Sequence, residues 1–401
     1  HLKDISRISI TNVQVYAGKG GVWIDNCSYV WLTQFTFAQP YATPLYAAEA
    51  GIRISGPVNN VYLVNCTGAT QNADTANLDK RLFAGLWIQG SDGVSVIGCF
   101  FVAKYGILVE GGYSSPLGIV YISGNILDNN SICGLQISGT NGQAFGNIVI
   151  TGNHITASAE TAPAWAGALN ALSISGDCDF VSIQGNYITS STAELVSIVG
   201  ANSWLGIPKR QILLANNILS RGNSGNASGA SGAAISVAAG SKGFQLTGNE
   251  ITNAFGGLAT RGISILDNCD GFVVKNNVIS DVTGQAIVMG STMGSDYVVK
   301  DNTGDNEGFN TAPIASASTT NIAHSVSGVR NQYYQITGTT TIATLTTTAF
   351  TYYKGLTFYL TFTNATPGGF SAAGNVYRAV TVVQNQTVKL TWDGTKWMPS
   401  I

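Results

Sequence analysis

Residues 120–127 read Val120-Tyr121-Ile122-Ser123-Gly124-Asn125-Ile126-Leu127. The phrase returns as Ile148-Val149-Ile150-Thr151-Gly152-Asn153-His154-Ile155, and again as Val181-Ser182-Ile183-Gln184-Gly185-Asn186-Tyr187-Ile188. Apolar residues alternate with polar ones ahead of each Gly-Asn step, the period-two pattern of a strand with one buried face. The asparagine column continues at Asn217, Asn249, Asn277 and Asn302, preceded by Asn216, Gly248, Asn276 and Asp301. Carried toward the N-terminus, the same template puts Val13, Phe35, Cys66 and Cys99 in that column, after Asn12, Gln34, Asn65 and Gly98. A second strand aligns in every repeat, from Val22-Trp23-Ile24, Ile52-Arg53-Ile54, Leu86-Trp87-Ile88 and Ile107-Leu108-Val109 through to Ile287-Val288-Met289. A unit that recurs every 22 to 33 residues is the signature of a solenoid.

The expected fold over residues 1–308 is a right-handed parallel β-helix of about eleven rungs. The Gly/Asn/Asp column suits a corner that needs positive φ, which those residues tolerate best. Rungs stacked about 4.8 Å apart would let each following asparagine reach the next as an amide ladder, read here as a structural turn stack. The spacing is too long for hexapeptide helices, and neither the calcium-roll glycine pattern nor the Leu-x-x-Leu-x-Leu signature is present.

Composition sets further limits. The chain has 401 residues, 45% hydrophobic and only 10% charged, with 48 glycines and a net charge of −2. That suffices for a large core and does not suit a disordered chain. Near-neutral charge argues against nucleic-acid binding, and no apolar run is long enough for a membrane span. Six cysteines show no metal-ligand spacing, and no cofactor or metal is expected. Cys66 and Cys99 fall in one column of adjacent rungs, either as stacked free thiols, the reading preferred here, or as a disulfide. No signal peptide is visible and the sequence opens inside a rung, so a preceding segment is expected.

After Asp305-Asn306-Glu307-Gly308 the pattern changes. Residues 309–401 hold strongly alternating segments, among them Leu356–Phe362 and Thr387–Trp392, and end on Trp392-Asp393-Gly394-Thr395-Lys396-Trp397, which reads as a hairpin. A small antiparallel sandwich or jelly roll is expected here, without catalytic chemistry.

The Gly-Asn-x-Ile rungs followed by a β-rich C-terminal region ending in Asp-Gly-x-x-Trp resemble bacteriophage tailspikes of the pectate-lyase-like β-helix group. The resemblance covers nearly the whole chain as architecture and contains no catalytic motif. It implies a homotrimer and a C-terminal trimerising or carbohydrate-binding domain. It also implies recognition or cleavage of a capsular or O-antigen polysaccharide, a place in the virion tail, and attachment to the phage baseplate or tail through a preceding region.

Candidate chemistry follows from the outward positions of the strand aligned above. One column runs Trp23, Arg53, Trp87, Leu108 and then turns small; its neighbour runs Asp25, Ser55, Gln89, Glu110. Sugars stack on aromatic faces, so Trp23, Arg53, Trp87 and Gln89 are candidate substrate-binding residues. The alternative is that the tryptophans pack under loops or in a subunit interface. Candidate catalytic carboxylates are Glu110 and Asp25, with Glu49 and Asp79 from the two long loops entering the same rungs. Asp25 and Glu110 stand three rungs apart, roughly 14 Å, so each would need another partner. A weaker lyase site centres on His154 and Tyr187, near loops bearing Glu160, Trp165, Trp204, Lys209 and Arg210. The outward column of Trp31, Tyr62 and Tyr121 is left open between sugar platform and subunit contact. Endo-hydrolysis is the expected reaction, with a lyase or a non-catalytic adhesin as alternatives.

Overall fold

The computed structural model describes residues 1–16, 20–39, 50–70, 82–111, 118–138, 145–157, 170–175, 178–189, 193–199, 211–222, 232–252, 261–282, 286–290, 293–294, 296–304, 309–322, 332–347 and 354–401. Three parallel sheets of eleven strands each wind as one coil, with the right hand that parallel crossovers take. The first sheet runs from Leu2–Lys3 to Ile287–Met289, the second from Ile8–Thr11 to Tyr297–Lys300, and the third from Gln14–Tyr16 to Thr303–Gly304. Among the described residues there is no helix, hence none long and apolar enough to cross a membrane.

Alternation does what the sequence pattern requires. In Ala84–Gln89, Leu86 and Ile88 are fully buried while Trp87 and Gln89 face out. Each inward Ile, Leu or Val contributes about 1.5–3 kcal/mol by leaving water. Toward the C-terminal end the inward row turns aromatic. Phe244, Phe272 and Tyr297 stack at 4.8 and 5.0 Å with nearly parallel rings.

The corner column is left-handed along its whole length. Asn12, Gln34, Asn65, Gly98, Gly124, Gly152, Gly185, Asn216, Gly248, Asn276 and Asp301 all have φ between +53° and +64°. The next residue in each later rung forms the amide ladder. The backbone N–H and Nδ2 of Asn125 both donate to Asn153 Oδ1 at 2.9 Å. The same pair of bonds repeats through Asn186, Asn217, Asn249 and Asn277 to Asn302. All seven side chains are buried.

In the earlier rungs sulfur stands in for the amide oxygen. Cys66 N–H donates to Cys99 Sγ at 3.3 Å, and Cys99 N–H to Asn125 Oδ1 at 2.8 Å. Both cysteines are free, as are Cys27, Cys133 and Cys269, and all five are buried. The hydrogen bond to Cys66, and then burial, push the Cys99 thiol well above its ordinary value. Burial alone raises Cys133 to about 12. Unfolded, unreduced protein should therefore titrate six thiols, and native protein should react slowly at these five; fewer than six on unfolding would overturn the free-thiol assignment.

One corner closes on glycine. A Cβ at Gly85 would sit 2.8 Å from Gly106 O and 2.8 Å from Phe101 Cβ, so the third sheet can approach the first only if this position is bare.

The small C-terminal sheet is present, in the order 309–314, 332–336, 357–362, 386–392, 397–400. Its last three strands are antiparallel, and Trp392 pairs with Trp397 across the expected hairpin. The first three are parallel, as is the separate pair Thr319–Ile322 and Thr344–Thr347. An all-antiparallel sandwich is thus only half of what forms. Long connections return each early strand in the same direction, and only the last connection is a tight turn. Asp393 caps that turn, accepting from the Lys396 and Thr395 backbone N–H groups, which hold its carboxyl below the ordinary range. The expected boundary at 308/309 lies between the last coil strand, Thr303–Gly304, and Phe309–Ile314. The buried core forms one cluster from Val22 to Trp397.

Candidate functional site

The first sheet presents its side chains in the register the repeat predicts. Trp23 lies opposite Arg53, Arg53 opposite Trp87, and Trp87 opposite Leu108. Asp25, Ser55, Gln89 and Glu110 align beside them. Strand pairing thus fixes these side chains one rung apart, about 4.8 Å.

The Arg53 guanidinium is sandwiched between two indoles, 4.6 Å from the Trp23 ring centroid and 4.5 Å from that of Trp87. Each such contact is worth about 0.5–2 kcal/mol, more as water is excluded. On its other side Trp23 stacks with the His1 imidazole at 4.4 Å, and His1 Nε2 lies 3.7 Å from Asp25 Oδ2. Trp87 meets Leu108 next in the column, and Phe83 leans on it at 5.2 Å. The indole faces are therefore occupied within the chain. What this column offers a ligand is ring edges and polar atoms.

Those polar atoms are connected. Arg53 Nη2 donates to Gln89 Oε1 at 3.1 Å, and Gln89 Nε2 donates to Glu110 Oε2 at 3.1 Å. Trp87 Nε1 donates to the same oxygen at 2.8 Å. Two donors on one oxygen fix the Glu110 carboxylate in position, and among the described residues Oε1 takes no hydrogen bond. Trp23 Nε1 donates to Ser55 Oγ at 2.5 Å. Such an array can bind hydroxyls and carboxylates, and can hold an oriented carboxylate for proton transfer or nucleophilic attack.

The structure therefore brings Arg53, Trp87, Gln89 and Glu110 into one network, with Trp23 stacked against its arginine. Asp25 is at the far end of its column, paired with His1 and three rungs from Glu110. That separation, roughly 14 Å, exceeds both glycosidase spacings. Glu49 and Asp79 lie outside the described residues, as do Glu160, Trp165, Trp204, Lys209 and Arg210. Among the described residues no three His, Cys, Asp or Glu side chains cluster as metal ligands. Sequence reasoning passed over Phe83 and Tyr105, which contact each other at 5.2 Å and back Trp87. Their signal was present, as two aromatics at the entries of the Trp87 and Leu108 strands.

The second candidate is sparser. His154 and Tyr187 face out from consecutive rungs of the third sheet with ring centroids 5.1 Å apart. His154 Nε2 is shielded from water and has no partner among the described residues. Tyr187 Oη accepts from Ser220 Oγ at 3.1 Å.

Residues 1–188 match the family described as the right-handed beta helix region. Among solved structures the chain is similar to a double mutant of the periplasmic alginate epimerase AlgG, at 14% identity and a TM-score of 0.39, over 86% of this chain and 75% of that one. No curated protein shows significant similarity to the chain.

Proposed function

We propose that this β-helix is a bacteriophage tailspike that binds and depolymerises a bacterial capsular or O-antigen polysaccharide by endo-glycosidic hydrolysis. The observation that carries the reading is the Arg53–Gln89–Glu110 network, set between tryptophans on the outer face of consecutive rungs. A rigid wall of stacked strands holds these groups in one line, which suits a long, repetitive, hydroxyl-rich polymer. In this proposal Glu110 acts on the glycosidic centre and Arg53 and Gln89 bind the sugars. The second carboxylate of a hydrolase comes from outside the described residues, with Glu49 and Asp79 as the candidates.

A lyase reading has its own support. Arg53 could neutralise a uronate carboxylate, and the described face has one carboxylate in its network, where a lyase base would suffice.

The proposal includes a homotrimer. Phe100, Ile126, His154, Tyr187 and Ile218 face out in consecutive rungs of the third sheet, and all but His154 are large exposed apolar groups. An apolar row along the coil axis is best covered by another coil of the same pitch.

The test is incubation with a panel of purified capsular and O-antigen polysaccharides, following chain length, reducing ends and the near-UV absorbance of unsaturated uronates. Shortening with new reducing ends and no absorbance is the expected result. Absorbance rising in parallel would transfer the assignment to a lyase. Binding without shortening would overturn the enzyme and leave an adhesin.

A further inference from the structure

The indole faces of Trp23 and Trp87 on the first sheet are occupied; on the second sheet an outward aromatic stack stops short. Its outward column runs Ser9, Trp31, Tyr62, Ser95, Tyr121, Val149 in register. Trp31 and Tyr62 stack at 5.8 Å with planes 8° apart, so the Tyr62 ring lies across the coil axis. Its far face looks onto the rung of Ser95, where the stack is interrupted. Tyr121 stands one rung further.

We propose that the gap between Tyr62 and Tyr121 is a pyranose-binding slot, taking one sugar ring of a polysaccharide between the two tyrosines. This rests on the polysaccharide reading above and adds a second subsite on a different sheet. Two rungs separate the walls by about 9.6 Å. A flat ring in contact with both needs two heavy-atom contacts of about 4.0–4.5 Å each, hence roughly 8–9 Å. Any aromatic at position 95 would have filled the space; serine leaves it open and adds a hydroxyl at its floor. Among the described residues Ser95 Oγ has no hydrogen-bond partner, so it is available to a sugar hydroxyl. The floor continues sideways through exposed Ile97 on one flank and ends at Gly93 on the other, where Asn60 of the preceding rung stands close by, its Oδ1 3.2 Å from where a Cβ would sit. Sugar C–H faces pack on aromatic rings while their hydroxyls bond at the rim, the combination this slot supplies.

The corner column beside this one carries a further aromatic, in the rung of Trp31. Tyr29, 47% exposed, has φ +55° and stacks toward Trp31 at 6.4 Å. A bulky aromatic in the left-handed region is costly, and its corner partner in the slot rung is glycine, Gly93, at φ +66°. The strained tyrosine extends the aromatic surface where a glycine would have relaxed the corner.

The test uses the same polysaccharide panel on the full chain, with Tyr62→Ala, Tyr121→Ala and Ser95→Phe, reading affinity, thermal midpoint and sedimentation. Each alanine variant should weaken the bound polymer about tenfold. Ser95→Phe should do the same while leaving the thermal midpoint unchanged or raised, because it completes the stack and removes only the space. Oligomeric state should not change in any of them. Affinity within twofold of wild type in Ser95→Phe would overturn the slot while leaving the polysaccharide reading intact. Tyr62→Ala altering sedimentation would assign the column to a subunit contact instead. No binding to any polymer would overturn both.

Discussion

Replacing Asn186 with leucine should destabilise the coil by about 3–5 kcal/mol, the largest stability loss expected from a polar-to-apolar change in this chain. The carboxamide is buried in mid-ladder. Its Oδ1 accepts from the backbone N–H and Nδ2 of Asn153, and its Nδ2 donates to Asn217 Oδ1, Ile150 O and Gln184 O. Leucine repeats the branched shape of asparagine, although its two methyls are bulkier than the amide oxygen and nitrogen, and donors of Asn153 and carbonyls of the flanking strand lose partners in a place water does not reach. Each orphaned group costs about 1–3 kcal/mol. In a solenoid the damage is local first, because each rung is stabilised by its neighbours. Amide exchange should therefore accelerate around residues 150–220 before the ends respond, and the denaturant midpoint should fall. Asn302→Leu, at the last rung of the ladder, should cost less, since Asn302 serves Asn277 on one side only. An Asn186→Leu midpoint within about 1 kcal/mol of wild type would show that the ladder is tolerated rather than required.

The ladder also marks how far the sequence could be read. Short-range chemistry was legible: a corner needing positive φ restricts residue type so strongly that Asn12, Gln34 and Asn65 could be placed beside the glycines without a clear motif around them. Register was legible for the same reason, since a one-residue slip would turn Leu86 and Ile88 outward. Side-chain torsions were not. Trp23, Arg53 and Trp87 could be put in one column, but nothing in their order says that the guanidinium inserts between the rings and takes up the faces a sugar would have used. The parallel pairing of Gln332–Ile336 with Thr357–Phe362 was equally hidden, because alternation gives a strand's faces and not its direction. Ser95 was overlooked because a serine between tyrosines carries meaning only once the rungs are stacked. For Glu49 and Asp79, loop position was the sole argument available.

Glu110→Gln should lower depolymerisation on the order of a thousandfold while leaving fold and polymer binding close to wild type. The substitution is nearly isosteric. The new amide can turn its oxygen toward Trp87 Nε1 and Gln89 Nε2 and keep both hydrogen bonds that now end on Oε2. What is lost is the charge and the capacity to take or give a proton. The thermal midpoint should therefore stay put, separating a chemical role from a structural one. Asp25→Asn provides the contrast. Asp25 lies roughly 14 Å away along its column, and its described partner is His1, so activity should survive. Arg53→Met should behave differently from both. It keeps an apolar stem between the indoles but removes the charge and the bond to Gln89. If Arg53 binds the polymer, the loss should appear mainly in KM, with kcat reduced less because Glu110 keeps its contact to Trp87. Full activity in Glu110→Gln would remove this network from the chemistry and send the search to carboxylates elsewhere on the coil.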